Sequence, residues 1–294
     1  VKVTKEQAPE EQKQEQAAQQ PAAQGPRLTR PQGPRLGVRV APPPTPRQMT
    51  VTLPVADPAE MFYKVENVNP KLRVMIYGAS GVGKTTLAST APKPVFLDIE
   101  HSTIVLRGLD VSVREIESIA DFRAALEALR QLCASDRCPY ETVVVDTMTE
   151  LSAMGLGERL YRTAENPDDP QVVFNVEIGD YGFNTQQMKQ LLREVVAVPL
   201  HVIIIAQESM DNNALAKWTT LPALSPRLME DTLAAMHGVF HLAVGKDGER
   251  ILTCNPRAGI VAKDRSGNLE PVYVGPNLSE IFQRMLEVKE KPKG

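Results

Sequence analysis

From Lys71 onward the apolar residues fall into two rhythms: short unbroken runs, and longer stretches with a single apolar face. "RVMIYG" (73–78), "VFLD" (95–98), "TVVVD" (142–146) and "HVIIIAQ" (201–207) are unbroken, and each ends on glycine or a polar residue. A strand with one wet face alternates; these do not, so both of their faces must be covered. "SIADFRAALEALRQLC" instead keeps Phe122, Ala125, Leu126, Leu129 and Cys133 on one side of a helix opened by a Ser118-x-x-Asp121 box. "TQQMKQLLREVVAV" does the same through Met188, Leu191, Leu192, Val195 and Val196.

Further along, Ser225-Pro226 predicts a capped helix start with proline in the first turn. "VFHLAVGKDGERILTC" predicts an antiparallel hairpin turning at Asp247-Gly248, and "NLSEIFQRMLEV" a closing helix. Doubly buried strands alternating with helices predict an α/β domain over residues 59–290. Its central sheet is mostly parallel, lies between helix layers, and ends in a C-terminal antiparallel hairpin. Residues 291–294 form a short tail.

Residues 1–58 follow neither rhythm. The first fifty hold nine of the chain's 24 prolines, many glutamines and almost no large apolar side chains. Such a segment cannot bury enough surface to offset its ordering entropy, so a disordered arm is expected. Between Gly25 and Thr50 it carries five arginines and no acid. A solvated linker fits this best, with a basic arm touching phosphates as the sharper alternative.

Composition narrows the class. With a formal charge of −3 at 294 residues, wholesale coating of nucleic acid is not expected. No run of about 18 apolar residues suggests a membrane span, and no apolar leader is seen at the N-terminus. Cys133, Cys138 and Cys254 read as reduced thiols, so a cytoplasmic location is expected.

The candidate chemistry begins where the first strand ends. "GASGVGKTT" spans Gly78, Ala79, Ser80, Gly81, Val82, Gly83, Lys84, Thr85 and Thr86, with the Walker A spacing between a predicted strand and helix. Glycines let successive N–H groups turn inward around phosphate oxygens. Lys84 is placed to reach the terminal phosphates of ATP, and the Thr85 hydroxyl to ligate Mg²⁺. Asp146, 62 positions after Lys84 at the end of an apolar strand, has the Walker B arrangement and is the second candidate for Mg²⁺. His237 and His241 are four apart in a predicted strand, about 13 Å, which suits structural histidines better than a shared metal.

"FLDIEHS", with Asp98 and Glu100 after the strand that follows the phosphate-loop helix, resembles the RecA family. That resemblance makes Glu100 the catalytic base and Gln207, ending "IIIAQ", the sensor of the terminal phosphate. "SMDNNALAKWTTLPAL" then stands where that family has its second DNA-binding loop, with Lys217 and Trp218 as DNA-binding candidates. "VAKDRSG" is similar to the Lys-x-Arg string of RadA and DnaB-like motors, implying that Lys263 and Arg265 act on the neighbouring subunit's nucleotide.

Motif order and size look most like the single-domain RecA-like ATPases of bacteriophages, including the Sak-type single-strand annealing group. The resemblance implies a DNA-stimulated ATPase of recombination or annealing, a homo-oligomeric ring or filament, and single-stranded DNA as partner. One departure stands out. The segment in place of the first DNA loop is acidic at Glu165, Asp168, Asp169, Glu177 and Asp180. That leaves room for a nucleotide-gated binding module in a replication or packaging complex, without direct DNA contact. A small-molecule kinase is a weaker third reading, since no lid arginines are evident.

Overall fold

The computed structural model describes residues 70–135, 137–169, 171–172, 175–212 and 218–288. The arm expected at 1–58, the tail at 291–294 and Lys217 lie outside the described residues.

The chain first lays down β1 (Arg73–Gly78), a short α1 (Lys84–Ala88), β2 (Pro94–Asp98), a 3-10 turn (Thr103–Leu106) and β3 (Ser112–Glu115). It continues with α2 (Ile119–Ala134), β4 (Thr142–Asp146), α3 (Met148–Thr163), α4 (Ile178–Val196), β5 (His201–Asn212) and β6 (Trp218–Pro222). Last come α5 (Pro226–Ala235), β7 (Gly238–Val244), β8 (Arg250–Thr253), β9 (Lys263–Asp264), β10 (Val272–Val274) and α6 (Leu278–Leu286). The strands lie in the order β10-β8-β7-β1-β5-β4-β2-β3, with β6 paired to β5 and β9 to β7. From β7 to β3 every neighbouring pair is parallel, and β7–β8–β10 adds the antiparallel end. The mostly parallel α/β expectation is thus met, hairpin included.

The burial pattern explains why the strands do not alternate. Met75 and Tyr77 of β1 pack with Val143, Val145, Val202 and Ile204 against Phe122, Leu126, Met188 and Leu191 of the helices on one face. Val74 and Ile76 point the other way, with Phe96, Val144, Ile203 and Ile205, against Leu87, Leu278, Ile281 and Phe282. Each fully buried side chain of this kind contributes about 1.5–3 kcal/mol, so one alternate residue set drives each layer onto the sheet. The helix ends are specified locally: Ser118 Oγ accepts from Asp121 N–H at 3.0 Å, and Asn277 Oδ1 from Ser279 N–H at 2.9 Å.

Several elements go beyond the sequence expectation. The strand read as ending at Gln207 runs on to Asn212 and folds back as β6, so the expected loop is in part a hairpin, with Trp218 opposite Asn212. α4 begins at Ile178 rather than near Thr185, since Asp180 Oδ2 accepts from Glu177 N–H at 3.2 Å and holds the first turn despite two glycines. Asp180 is also buried against Arg159, Nε–H to Oδ1 3.1 Å, which neutralises part of the acidic segment. Ser225 precedes Pro226 at the start of α5 as expected, but its side chain caps nothing and faces Thr185 Oγ1 at 3.4 Å. No described helix is long and apolar enough to cross a membrane.

At the start of β1, Leu72 N–H donates to His201 Nδ1 at 3.0 Å and Arg73 N–H to His237 Nδ1 at 3.2 Å. Burial pulls both imidazoles below their ordinary pKa, with nearby Lys71 and Arg73 adding to it, so the fold favours their neutral form. The unfolded chain then binds more protons, and stability is lost as pH falls through the ordinary histidine range. Urea unfolding is expected to show lower stability near about pH 5.5 than near about pH 7.5, with a flatter slope in the His201→Gln/His237→Gln double variant. An unchanged slope in that variant would mean that the pH dependence arises elsewhere.

Candidate functional site

The phosphate loop is shaped by what crowds it. A methyl group on Gly78 would lie 2.2 Å from Leu242 O, so only glycine lets β1 end against β7. Gly83 sits at φ 95°, left-handed backbone, and its carbonyl accepts from Leu87 N–H at 2.9 Å as α1 begins. α1 has five residues, so the inward-facing loop amides, more than a helix dipole, would carry anion binding. Lys84 is buried, and its Nζ donates to Gly78 O at 2.9 Å, Ala79 O at 2.8 Å and Gln207 Oε1 at 3.3 Å. Burial pulls the Lys84 ammonium below its usual pKa, opposed by Glu100, Asp146 and Glu208.

Behind the loop, Thr85 Oγ1 donates to Asp146 Oδ2 at 2.7 Å. Asp98 stands opposite Asp146 in the β2–β4 register, and both are buried. One oxygen of each, Asp98 Oδ2 and Asp146 Oδ1, has no hydrogen-bond partner among the described residues. Burial pushes the Asp146 carboxyl up to about 6, with Glu100 and Asp98 adding to the shift and the Thr85 bond opposing it. Burial likewise raises Asp98. Unpartnered buried carboxylate oxygens beside a threonine hydroxyl are a donor set that fits a hard divalent cation. Among the described residues no group of three or more His, Cys, Asp or Glu side chains could hold a metal. A cation here would therefore take the rest of its shell from phosphate and water, as Mg²⁺ commonly does.

Gln207 joins the two halves of the site. It lies opposite Gly78 in the β1–β5 register, and its Nε2 donates to Glu100 Oε1 at 2.9 Å while its Oε1 accepts from Lys84. Its backbone N–H donates to Thr149 Oγ1 at 3.1 Å, tying it to the first turn of α3. Lys84, Thr85, Thr86, Glu100 and Gln207 thus line one cleft of ≈ 390 Å³. On the other side of β5, Glu208 pairs with His241 Nε2 at 2.9 Å, and Tyr77 OH donates to Val261 O at 2.6 Å and Thr220 O at 3.1 Å. His237 and His241 thus have separate partners, in keeping with structural roles.

Lys263 and Arg265 are not part of that cleft. β9 pairs with the start of β7, so both cations lie toward the sheet end opposite the phosphate loop. Lys263 Nζ donates to Leu233 O, and Arg265 Nη2 to Ala234 O at 3.0 Å, so both engage carbonyls in the last turn of α5. Two contributors were not foreseen from sequence. Thr149 is an ordinary helix-entry residue by pattern, and Arg250, which lines the cleft from β8, belongs to no motif.

Gly83→Ala places a side chain in left-handed backbone and against Arg250 Nε, 2.9 Å from the new methyl carbon. It is expected to cost ~1–2 kcal/mol in denaturant unfolding and to weaken nucleotide binding measured by calorimetry. Wild-type stability and affinity in that variant would show that the loop adopts another conformation.

Compared with known families, residues 70–266, about two thirds of the chain, match the AAA domain. No curated protein matches the chain. The match covers β1 through β9, and so takes in the phosphate loop and every strand end that faces it. A match of that extent, on a fold that gathers those residues at one sheet edge, establishes that the chain belongs to the AAA domain family, P-loop proteins with nucleotide-binding ATPase activity.

Proposed function

We propose that the chain hydrolyses ATP in a RecA-like manner, and that it acts in DNA recombination or single-strand annealing as a homo-oligomer of the bacteriophage type. The observation that carries this reading is Gln207 bridging Lys84 and Glu100, because it links the phosphate-binding ammonium and a carboxylate through one side chain. The loop amides from Gly78 to Thr86 hold the phosphates, and Lys84 holds the terminal ones. Bound beside Thr85 and Asp146, Mg²⁺ would supply positive charge against the phosphate oxygens. Glu100 accepts the proton of the water that attacks the terminal phosphorus, the bond from that phosphorus to the bridging oxygen breaks, and ADP leaves with inorganic phosphate as the other product. Gln207 then loses or keeps its bond to Glu100 according to what occupies the cleft, and passes that state to the β5–β6 hairpin.

Trp218 opens β6 of that hairpin and, with Lys217, which precedes it in sequence, is a candidate DNA contact. Lys263 and Arg265 lie too far along the sheet to serve their own loop, so a role on the terminal phosphate requires a neighbouring protomer. The exposed acids Glu165, Asp168, Asp169 and Glu177 favour the second reading, a nucleotide-gated module whose partner is a replication or packaging protein.

Glu100→Gln is expected to lower steady-state hydrolysis by about 10²–10⁴-fold while retaining ATP binding. Turnover at the wild-type rate would remove Glu100 as the base. Single-stranded DNA is expected to stimulate hydrolysis in a salt-sensitive way, and electron microscopy with ATPγS to show rings or filaments. Assembly without any response to oligonucleotide selects the gated module. A strictly solitary species with full turnover removes the trans role of Lys263 and Arg265.

A further inference from the structure

Arg250 is the first residue of β8 and reaches the phosphate loop from a hairpin that carries no recognisable motif. Its Nε–H donates to Val82 O at 3.2 Å. The guanidinium lies against Gly83: a methyl carbon built there would meet Nε at 2.9 Å, Nη2 at 3.4 Å and Cζ at 3.6 Å. The same side chain lines the cleft with Lys84, Thr85, Thr86, Glu100 and Gln207. Arginine has five N–H donors, and the Nε–H alone is directed to the loop carbonyl. Among the described residues its guanidinium forms no ion pair with a carboxylate.

The backbone beneath this side chain is held on both sides. Arg250 pairs with Val244 of β7, and its carbonyl accepts from Gly275 N–H at 2.9 Å after β10. The turn before it is closed by Gly245 N–H donating to Glu249 O at 2.8 Å. Arg250 is therefore positioned before any ligand arrives, and a preset donor loses little freedom on binding.

Charge in the cleft gives the unused guanidinium edge its chemistry. Glu100, Asp98 and Asp146 crowd the strand ends, whereas Lys84 is the only ammonium among the lining residues. A nucleoside polyphosphate adds several negative charges to that side. A guanidinium fork, which meets phosphate oxygens through paired N–H groups and never loses its proton, is the cation best suited to offset them.

We infer that Arg250 is a phosphate-binding residue acting within its own protomer: Nε steadies the loop at Val82–Gly83, and the free Nη groups contact the polyphosphate of a bound nucleoside di- or triphosphate. This rests on the nucleotide reading above. It assigns a second cation to the site that is available in a single chain, unlike Lys263 and Arg265.

The test compares Arg250→Met, Arg250→Gln and Arg250→Lys in the full chain, by calorimetric binding of ATP and ADP across a salt series, with thermal melting of the nucleotide-free protein alongside. Arg250→Met and Arg250→Gln are expected to bind both nucleotides roughly ten- to a hundredfold more weakly, with a shallower salt dependence. Arg250→Lys is expected to recover part of the affinity and the wild-type salt slope, because it keeps the charge without the fork. Wild-type affinity in both neutral variants overturns the inference. So does a loss that Lys repairs no better than Gln, with the salt slope unchanged, which would make Arg250 a strut for the loop. Should Arg250→Met melt early, the Gln and Lys pair decides between these outcomes. The wild-type chain serves as the separate control: if it binds neither ATP nor ADP, the nucleotide reading fails, whatever Arg250 does.

Discussion

Parallel pairing sets the depth at which each polar strand end meets the ligand edge of the sheet. The β1–β5 register puts Gly78 level with Gln207, and the β2–β4 register puts Asp98 level with Asp146. Neighbouring strands lie about 4.8 Å apart, so these groups fall within the span of one small polyanion and its counter-ion. Both faces of the sheet are covered, which denies the strand ends most of their water. Asp146 and Asp98 are left buried, each with one oxygen unpartnered among the described residues, and burial raises both carboxyl pKa values. A cation bound there would offset the cost of that burial.

The same geometry links the cleft to a surface some distance away. β5 does not stop at Gln207 but continues to Asn212, so one strand carries both the residue between Lys84 and Glu100 and the hairpin with β6. Tyr77, one residue before the loop, hydrogen-bonds to Thr220 O on β6 and to Val261 O before β9. The phosphate loop, the hairpin and the β9 turn therefore share a hydrogen-bonded frame. Gln207 and the paired part of the hairpin thus belong to one continuous strand.

Charge on the α3–α4 side is more balanced than composition suggests. Asp180 is buried against Arg159, and the guanidinium carbons of Arg159 and Arg162 lie 4.7 and 5.3 Å from the centre of the Phe183 ring. Glu165, Asp168 and Asp169 still face solvent beyond them. The surface therefore offers aromatic and cationic groups next to acids, which the count of acids alone does not convey.

The fold class and the phosphate loop were legible from sequence because both rest on local rules. Unbroken Val/Ile runs state that a strand is covered twice, and glycine spacing before Lys84 states a backbone path that other residues cannot follow. The place of Asp146 at the end of β4 was legible for the same reason, and the structure sets it against Thr85. Residues whose role depends on a distant neighbour were not. The continuation of β5 needed β6 to pair with, and the early start of α4 needed Asp180 to reach back to Glu177. Thr149 matters through the N–H of Gln207, 58 residues away, and Arg250 through a carbonyl 168 residues away. The string of Lys263 and Arg265 implied a role on a neighbouring subunit's nucleotide, but not that within their own chain both side chains meet α5 carbonyls. Backbone preference and burial are written along the chain, whereas a hydrogen bond between remote segments exists only once the sheet has set their register.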